Sequence, residues 1–282
     1  MGDLLSGLAV ILAISIALFA LGLRAARRGS RGFACGLALL GVGVVLLHAF
    51  VLLDNPRMAW VLPFSNLFVV GNWSPLGVAL LAGLAWGWAG SRLWRTGPLV
   101  AALAALCAWH SYGLLLEAPP RCGDVWLNGV CIQTTDASCS AASAATLLRA
   151  YGIPATEREM ARLCLTRKWG TCNHGLYRGL MLKTAGTPYA VEVFSWTLDE
   201  LRLKPPGPVL LHVRLEKGAR VDPRYARDWG WEPGVTHAVV LFDFLGNSLV
   251  EMGDPGVGRE EWHVESLKVL WHGTGIRFVK RR

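Results

Sequence analysis

The sequence predicts an α-helical transmembrane region joined to an α+β domain. Three observations predict it. Apolar residues crowd into positions 1 to 116, the polar half reads first as helices and then as strands, and a cysteine stands at the start of one of those helices. Of the 282 residues, 53% are hydrophobic, which is more than an ordinary soluble domain needs. The expected organisation is a membrane domain of four helices over 1–116, a short linker over 117–123 and a folded domain over 124–282.

The membrane region follows from length and flanks. Leu4 to Leu23 is too long and too continuously apolar for a signal-peptide core, and Asp3 rather than a basic residue precedes it, so it reads as a retained span. Phe33 to Leu53 and Pro98 to Leu116 are long enough to cross a bilayer. Trp73 to Leu93 crosses if its tryptophans sit at the interfaces, with Ser74-Pro75 as its N-cap and first-turn proline. Met58 to Val70, interrupted by Pro63 and Asn66, falls in the length range of interfacial segments and is assigned to the outer surface; as a fifth span it would reverse the orientation. His48 and His110 fall near the outer ends of spans two and four and read as hydrogen-bonding groups, since two ligands do not make a metal site.

The net charge is +8, from 28 basic and 20 acidic residues, yet the polar half has no basic stripe interleaved with aromatics, so nucleic acid is not an expected partner. The arginines instead report orientation. Arg24, Arg27, Arg28 and Arg31 lie between spans one and two, and Arg92 and Arg95 between three and four, whereas the opposite side has only Arg57 and Arg121 close by. Positive residues favour the cytoplasmic side, so the expectation is a multi-pass protein of the inner or plasma membrane with both termini, and the folded domain, outside the cytoplasm.

The polar half opens with Glu117-Ala118-Pro119-Pro120-Arg121, a stiff connection that holds the domain near the bilayer. The run Ala141 to Tyr151 is small and helix-favouring and directly follows Cys139, so that cysteine meets the unpaired N–H groups and positive dipole of a helix start, which stabilise a thiolate. Tyr151-Gly152-Ile153-Pro154 stops this helix. Thr156-Glu157-Arg158-Glu159 matches a capping box for a second helix ending near Cys164, and a third runs from about His174 to Lys183 with Gly186 as its stop. The period then changes. Tyr189 to Phe194, Val209 to Leu215, His237 to Phe244, Ser248 to Met252 and Ile276 to Lys280 read as strands separated by proline- and glycine-rich turns. Helices followed by an antiparallel sheet are an α+β arrangement.

Four residues carry chemistry in this frame. Gln133 precedes Cys139 by six positions, His237 sits on a predicted strand, and Asp254 lies in an Asp-Pro-Gly turn after the next strand. Glutamine, cysteine, histidine and aspartate in that order supply an oxyanion donor, a nucleophile, a base and a group that orients the base, which is a papain-like set. His212, also on a predicted strand, competes with His237, as do His174, His263 and His272. The aromatic loop Arg220 to Trp231, with Tyr225, Trp229 and Trp231 ahead of the histidine strand, could wall the cleft but reads rather as a packing cluster.

On the glutamine-to-cysteine spacing, the histidine strand and the Asp-Pro turn, residues Asp124 to Val279 resemble the C39 cysteine peptidases, whose best-known members remove leader peptides after a double glycine as domains of bacteriocin-exporting ABC transporters. The family usually shows Asp-Cys-Gly at the nucleophile where this chain has Ser138-Cys139-Ser140, and no ATPase or transporter module follows. The resemblance implies a papain-like cysteine peptidase domain and a thiol hydrolase with Cys139, His237, Asp254 and Gln133 in its site. It implies neither cofactor nor metal. The implied partner is an exported or membrane-tethered peptide or protein, cut near the outer membrane surface after small residues such as Gly-Gly, with the lipid bilayer as its setting. A sortase-like transpeptidase would use the same acyl-enzyme, and a catalytically silent peptide-binding module is the remaining alternative.

Of the seven cysteines, Cys35 and Cys107 fall in predicted spans, which leaves Cys122, Cys131, Cys164 and Cys172 besides Cys139. Four cysteines allow three pairings. The local ones, Cys122 with Cys131 and Cys164 with Cys172, close short loops flanking the site and suit an oxidising exterior, against the reading that all four are unpaired thiols. Their spacing suits zinc poorly.

Overall fold

The computed structural model describes residues 1–89, 117–203 and 207–281, together with 97, 98 and 101. The chain divides into two compact units, Met1–Glu117 and Ala118–Arg282.

The first unit holds the long helices α1 (Gly2–Arg28), α2 (Arg31–Leu47, continued by a π-turn over His48–Leu52) and α5 (Ser74–Ala89), with single turns α3 (Met58–Val61) and α4 (Leu67–Val70) between them. Among the described residues three segments, Gly2–Arg28, Arg31–Leu52 and Leu67–Ala89, are long and apolar enough to cross a membrane. The predicted span Pro98 to Leu116 lies, apart from Pro98 and Ala101, outside the described residues, as do Arg92, Arg95, Cys107 and His110. Met58 to Val70 is not one helix. It breaks around Pro63, and neither of its turns is long enough to cross a bilayer.

Only two residues join α1 to α2, and the Ser30 hydroxyl caps α2 by accepting from Phe33 N. Helix α5 starts at Ser74 instead of being capped by it, because the Asn72 side chain accepts from Ser74 N at 3.3 Å. It packs against both α1 and α2. Glycines make this approach: a Cβ on Gly83 would collide with the Phe19 carbonyl, one on Gly22 with that of Leu80, and one on Gly77 would lie 2.6 Å from the Gly41 carbonyl. Small residues at helix crossings allow the close backbone packing that holds helices together where water supplies no hydrophobic drive.

The second unit begins with a hairpin of β1 (Val125–Leu127) and β2 (Val130–Ile132). The cysteine helix Cys139–Ala150 follows and is buried along its length from Ser140 to Leu148. It ends at Tyr151, with Gly152 at φ +74° to reverse the chain. The helix Glu157–Leu163 is capped by Thr156, whose hydroxyl accepts from Glu159 N, while the Glu159 carboxylate pairs with Lys183 instead of closing the capping box. The helix Asn173–Thr184 completes the helical half.

Six antiparallel strands form the sheet in the order β3-β8-β4-β5-β6-β7, with β3 Tyr189–Ser195, β4 Val209–Arg214, β5 Thr236–Leu245, β6 Leu249–Asp254, β7 Gly258–His263 and β8 Trp271–Lys280. Alternation along the strands places Leu211, Val213, Val239, Leu241, Val250 and Met252 in one core, closed by Leu201 of the helix Leu198–Leu203 and by Leu267 and Leu270 of the helix Val264–Leu270. The alternate positions Leu210, Ala238 and Val240 are equally buried, so the central strands are covered on both faces.

Two expectations are corrected. Cys122 and Gly123 are part of the domain, not of a linker: Cys122 is buried, its carbonyl accepts from Arg158 Nε, and Gly123 N donates to Thr134 Oγ1 at 2.6 Å. Neither predicted disulfide is formed, because Cys122, Cys131 and Cys164 are free thiols. The reason for the second pair is visible along the helix Asn173–Thr184: the Cys172 sulfur accepts from Gly175 N at its start, whereas the Cys164 sulfur packs at Gly179, one turn further on. Cys122 and Cys131 are buried beside Glu157, and burial pushes their thiols up to about 11 and about 12, so they stay protonated.

The glycine contacts yield a prediction. Gly83→Ala should lower the stability of the membrane unit by about 1–3 kcal/mol through overpacking at α1, whereas Gly43→Ala, which meets open space, should be neutral. Unfolding midpoints of both variants in mixed micelles compare them directly, and equal midpoints would remove the glycine crossing from the packing argument.

Candidate active site

The nucleophile is positioned by a knot just before its helix. The Ser138 hydroxyl donates to the Thr135 carbonyl at 2.8 Å and accepts from Thr135 N at 3.2 Å and the Thr135 hydroxyl at 2.9 Å. This closes the loop tightly and presents Cys139 as the first helical residue, half-buried. One turn on, the buried Ser143 hydroxyl donates to the Ala238 carbonyl at 2.7 Å, bridging the helix to β5 across 95 positions of sequence. That carbonyl is accessible for a topological reason: on one side His237 and Ala238 pair with Val213 and His212 of β4, but on the other side pairing with β6 begins only at Val240. The first residues of β5 are therefore left for the cysteine helix.

Strand register brings the other two groups together. Leu241 lies opposite Met252, so the period of two puts His237 and Asp254 on the same face of the sheet. Asp254 is the last residue of β6, one position earlier than a turn residue, and its Oδ1 accepts from His237 Nε2 at 2.9 Å and from Gly256 N at 2.7 Å. With Nε2 committed to Asp254, the other ring nitrogen is the one left to interact with Cys139, to which the charge of His237 is coupled.

The electrostatics follow from these contacts. Burial by itself would lower the His237 pKa, but the hydrogen bonds to Asp254 and Cys139 and their negative charges overcome it and raise the value to about 10. Burial would likewise raise the Cys139 thiol. The His237 hydrogen bond and charge, followed by hydrogen bonds from the Ala238 backbone and the Ser140 hydroxyl, hold it below its ordinary value instead. Each group thus favours the charged form of the other, the imidazolium drawing the thiol toward thiolate. Ser138 and Ser140 thus have local functions at the positions where the resembled family usually has other residues.

The competing histidines are placed elsewhere in function. His212 pairs with Ala238 on β4, and burial pushes it down to about 4, so it is neutral at physiological pH. His272 Nε2 lies 3.0 Å from the Arg214 carbonyl, His263 precedes the helix Val264–Leu270, and His174 is buried on the helix Asn173–Thr184.

Gln133 is brought near the Asp254 turn through its backbone, since Gln133 N donates to the Pro255 carbonyl at 2.8 Å. Its side-chain Nε2 makes a long bond of 3.4 Å to the Thr135 carbonyl, and its Oε1 is buried without a hydrogen-bond partner among the described residues. The aromatic loop contributes Trp231, whose ring meets His237 edge-on at 5.9 Å and Trp262 at 5.7 Å. Sequence reasoning missed Ser143, the Ala238 backbone and Trp262. A serine on the buried face of an alanine-rich helix was the available signal for the first, while the other two depend on strand register. Among the described residues no group of three or more His, Cys, Asp and Glu side chains is arranged to hold a metal ion.

Comparison with solved structures finds three similar chains. The chain is similar to a double glycine motif protease from an AMS/PCAT transporter, solved in complex with the leader peptide, at 16% identity over 58% of this chain and 97% of that one, with a TM-score of 0.42. It is also similar to the peptidase domain of Streptococcus ComA, a bi-functional ABC transporter involved in a quorum-sensing pathway, at 18% identity over 53% of this chain and 96% of that one, with a TM-score of 0.41. The peptidase domain of Streptococcus mutans ComA matches at 19% identity over 54% and 98%, with a TM-score of 0.35. No protein-family model and no curated protein matches the chain.

The ion pair makes its own prediction. Iodoacetamide should alkylate Cys139 at pH 6 at least about tenfold faster in the wild type than in His237→Ala, because His237 holds the thiol below its ordinary value. The wild-type rate should hold a plateau up to the His237 pKa near 10, and Asp254→Asn should move that upper limit to lower pH by removing a contact that raises it. Mass spectrometry of the Cys139 peptide measures the rates, and identical profiles in wild type and His237→Ala would overturn the pairing.

Proposed function

We propose that this protein is a membrane-bound cysteine endopeptidase, papain-like in mechanism, acting on an exported or membrane-tethered peptide. The observation that carries the reading is the 2.9 Å contact between Asp254 and His237, with the Cys139 thiol held low by His237 and the imidazole held high. A thiolate so paired needs no further base. It attacks the scissile carbonyl, His237 passes its proton to the leaving amine, and the neutral imidazole then draws a proton from the water that hydrolyses the thioester. Asp254 keeps the ring oriented and compensates its charge through both steps. Gln133 Nε2 and the Cys139 backbone N–H, the latter at a helix start, are assigned to the developing oxyanion. Cleavage after small residues such as glycine is the specificity that the C39 resemblance suggests.

The three apolar segments support attachment to a membrane. The finer proposal, with the peptidase domain outside the cytoplasm, rests on the arginines at the α1–α2 junction and on Arg92 and Arg95; the free thiols remove the argument from disulfides.

Hydrolysis of an Ala-Gly-Gly aminomethylcoumarin amide by the full chain in detergent tests the chemistry. Cys139→Ala should abolish turnover, His237→Ala should lower kcat/KM about 10³-fold, and Asp254→Asn, which only orients the base, about 10- to 100-fold. Full activity in Cys139→Ala would exclude the cysteine mechanism. Orientation is tested separately by paired reporters fused after Arg282, an alkaline phosphatase active only outside the cytoplasm and a fluorescent protein that folds only inside it. A phosphatase-active, non-fluorescent pair is expected, and the reverse would place the domain in the cytoplasm.

A further inference from the structure

Beneath the site lies a carboxylate that the mechanism does not use. Glu157, the first residue of its helix, is fully buried and has no ion-pair partner among the described residues. An ionisable group taken out of water at such a cost is retained only where hydrogen bonds compensate it. Its bonds run to the two strands of chain that must converge. Oε1 accepts from Thr134 N at 2.8 Å and Oε2 from the Thr134 hydroxyl at 2.7 Å, and that hydroxyl in turn accepts from Gly123 N. Thr134 directly follows Gln133. Thr134 also directly precedes Thr135, whose N–H, hydroxyl and carbonyl all bond the Ser138 hydroxyl, and Ser138 directly precedes Cys139.

The Gln133 backbone is therefore gripped on both sides, at its own N–H by Pro255 and at the next residue by Glu157. Its side-chain amide, by contrast, has only the long bond to Thr135. Backbone anchoring of this kind positions a donor without consuming it. We propose that Glu157 is a positioning residue, whose buried carboxylate fixes the Gln133 and Cys139 segments relative to each other so that the Gln133 amide meets the oxyanion. This rests on the peptidase reading and extends it to a residue that touches neither substrate nor nucleophile.

Two probes separate the roles. In alkylation by iodoacetamide the Cys139 sulfur forms a bond to carbon and iodide leaves, so no oxyanion arises and the rate reports the thiolate alone. With acetyl-glycyl-glycinal the sulfur adds to the aldehyde carbon and the oxygen, protonated from His237, lies where an oxyanion would develop. In the full chain, Glu157→Gln should leave the alkylation rate and its pH profile within about twofold while weakening aldehyde inhibition about 10- to 100-fold. Thr134→Val should do the same, and Thr134→Ser, which keeps the hydroxyl, should restore the wild-type inhibition constant. Gln133→Ala should weaken inhibition at least as much, with no further loss when Glu157→Gln is added, because both act through one amide.

Losses of alkylation and aldehyde binding in equal proportion would make Glu157 a fold-stabilising residue only, and unchanged aldehyde binding in both Glu157→Gln and Thr134→Val would overturn the proposal outright. A wild-type Cys139 that alkylates no faster than in His237→Ala and binds no aldehyde would overturn the peptidase reading as well, which distinguishes the two failures.

Discussion

The contact between Asp254 and His237 decides which of two neighbouring histidines holds a proton. His212 and His237 lie on adjacent strands, one residue out of register, and both are pressed by burial toward the neutral form. Without a counter-charge His212 falls to about 4. With a carboxylate on Nε2 and the cysteine on the other side, His237 rises to about 10. The difference is set by one acidic residue at the end of β6, whose own position is fixed by the Gly256 N–H bonded to the same oxygen. Everything asked of Cys139 depends on this, because the thiol is pulled down chiefly by the proton that Asp254 keeps on the imidazole.

Such an arrangement needs the helix, the hairpin and the sheet held to within a fraction of an ångström, and each is tied by a separate hydrogen bond. Ser143 ties the cysteine helix to β5, Gln133 N ties the end of β2 to the Asp254 turn, and Thr134 ties the same segment to Glu157. A buried neutral hydrogen bond contributes only about 1 kcal/mol net, but leaving its partner unsatisfied costs more, so these ties select a single geometry more than they add stability. The early end of β6 pairing is part of the same design, since a fully paired β5 would have no carbonyl to offer Ser143. In the membrane unit, close packing is achieved differently, by omitting side chains at Gly22, Gly77 and Gly83.

Much of this was legible in local sequence. The helix start at Cys139, the Thr156 cap, the stops at Gly152 and Gly186 and the central strands are all specified by residues within a turn or two of the feature they specify. What escaped was short or dependent on partners. β1 and β2 have three residues each and exist only as a pair, and β7 reads Gly-Arg-Glu-Glu-Trp-His, which carries no apolar alternation because it is an edge. The cysteines misled because even numbers at short spacings suggest bridges, whereas pairing depends on where the sulfurs point. In the folded chain one sulfur caps a helix and another fills the space above a glycine one turn away.

Local sequence specified the two units, the helix that presents Cys139 and the identity and order of the groups available for chemistry, because propensity, capping and hydrophobic period act over a few residues. Tertiary packing added that Asp254 holds His237 through Nε2, that Ser143 and Ala238 lock the nucleophile's helix, and that a buried Glu157 grips the residue after Gln133. Those relations join positions from 17 to 95 residues apart, and they arise from strand register and burial, which no local pattern of residues encodes.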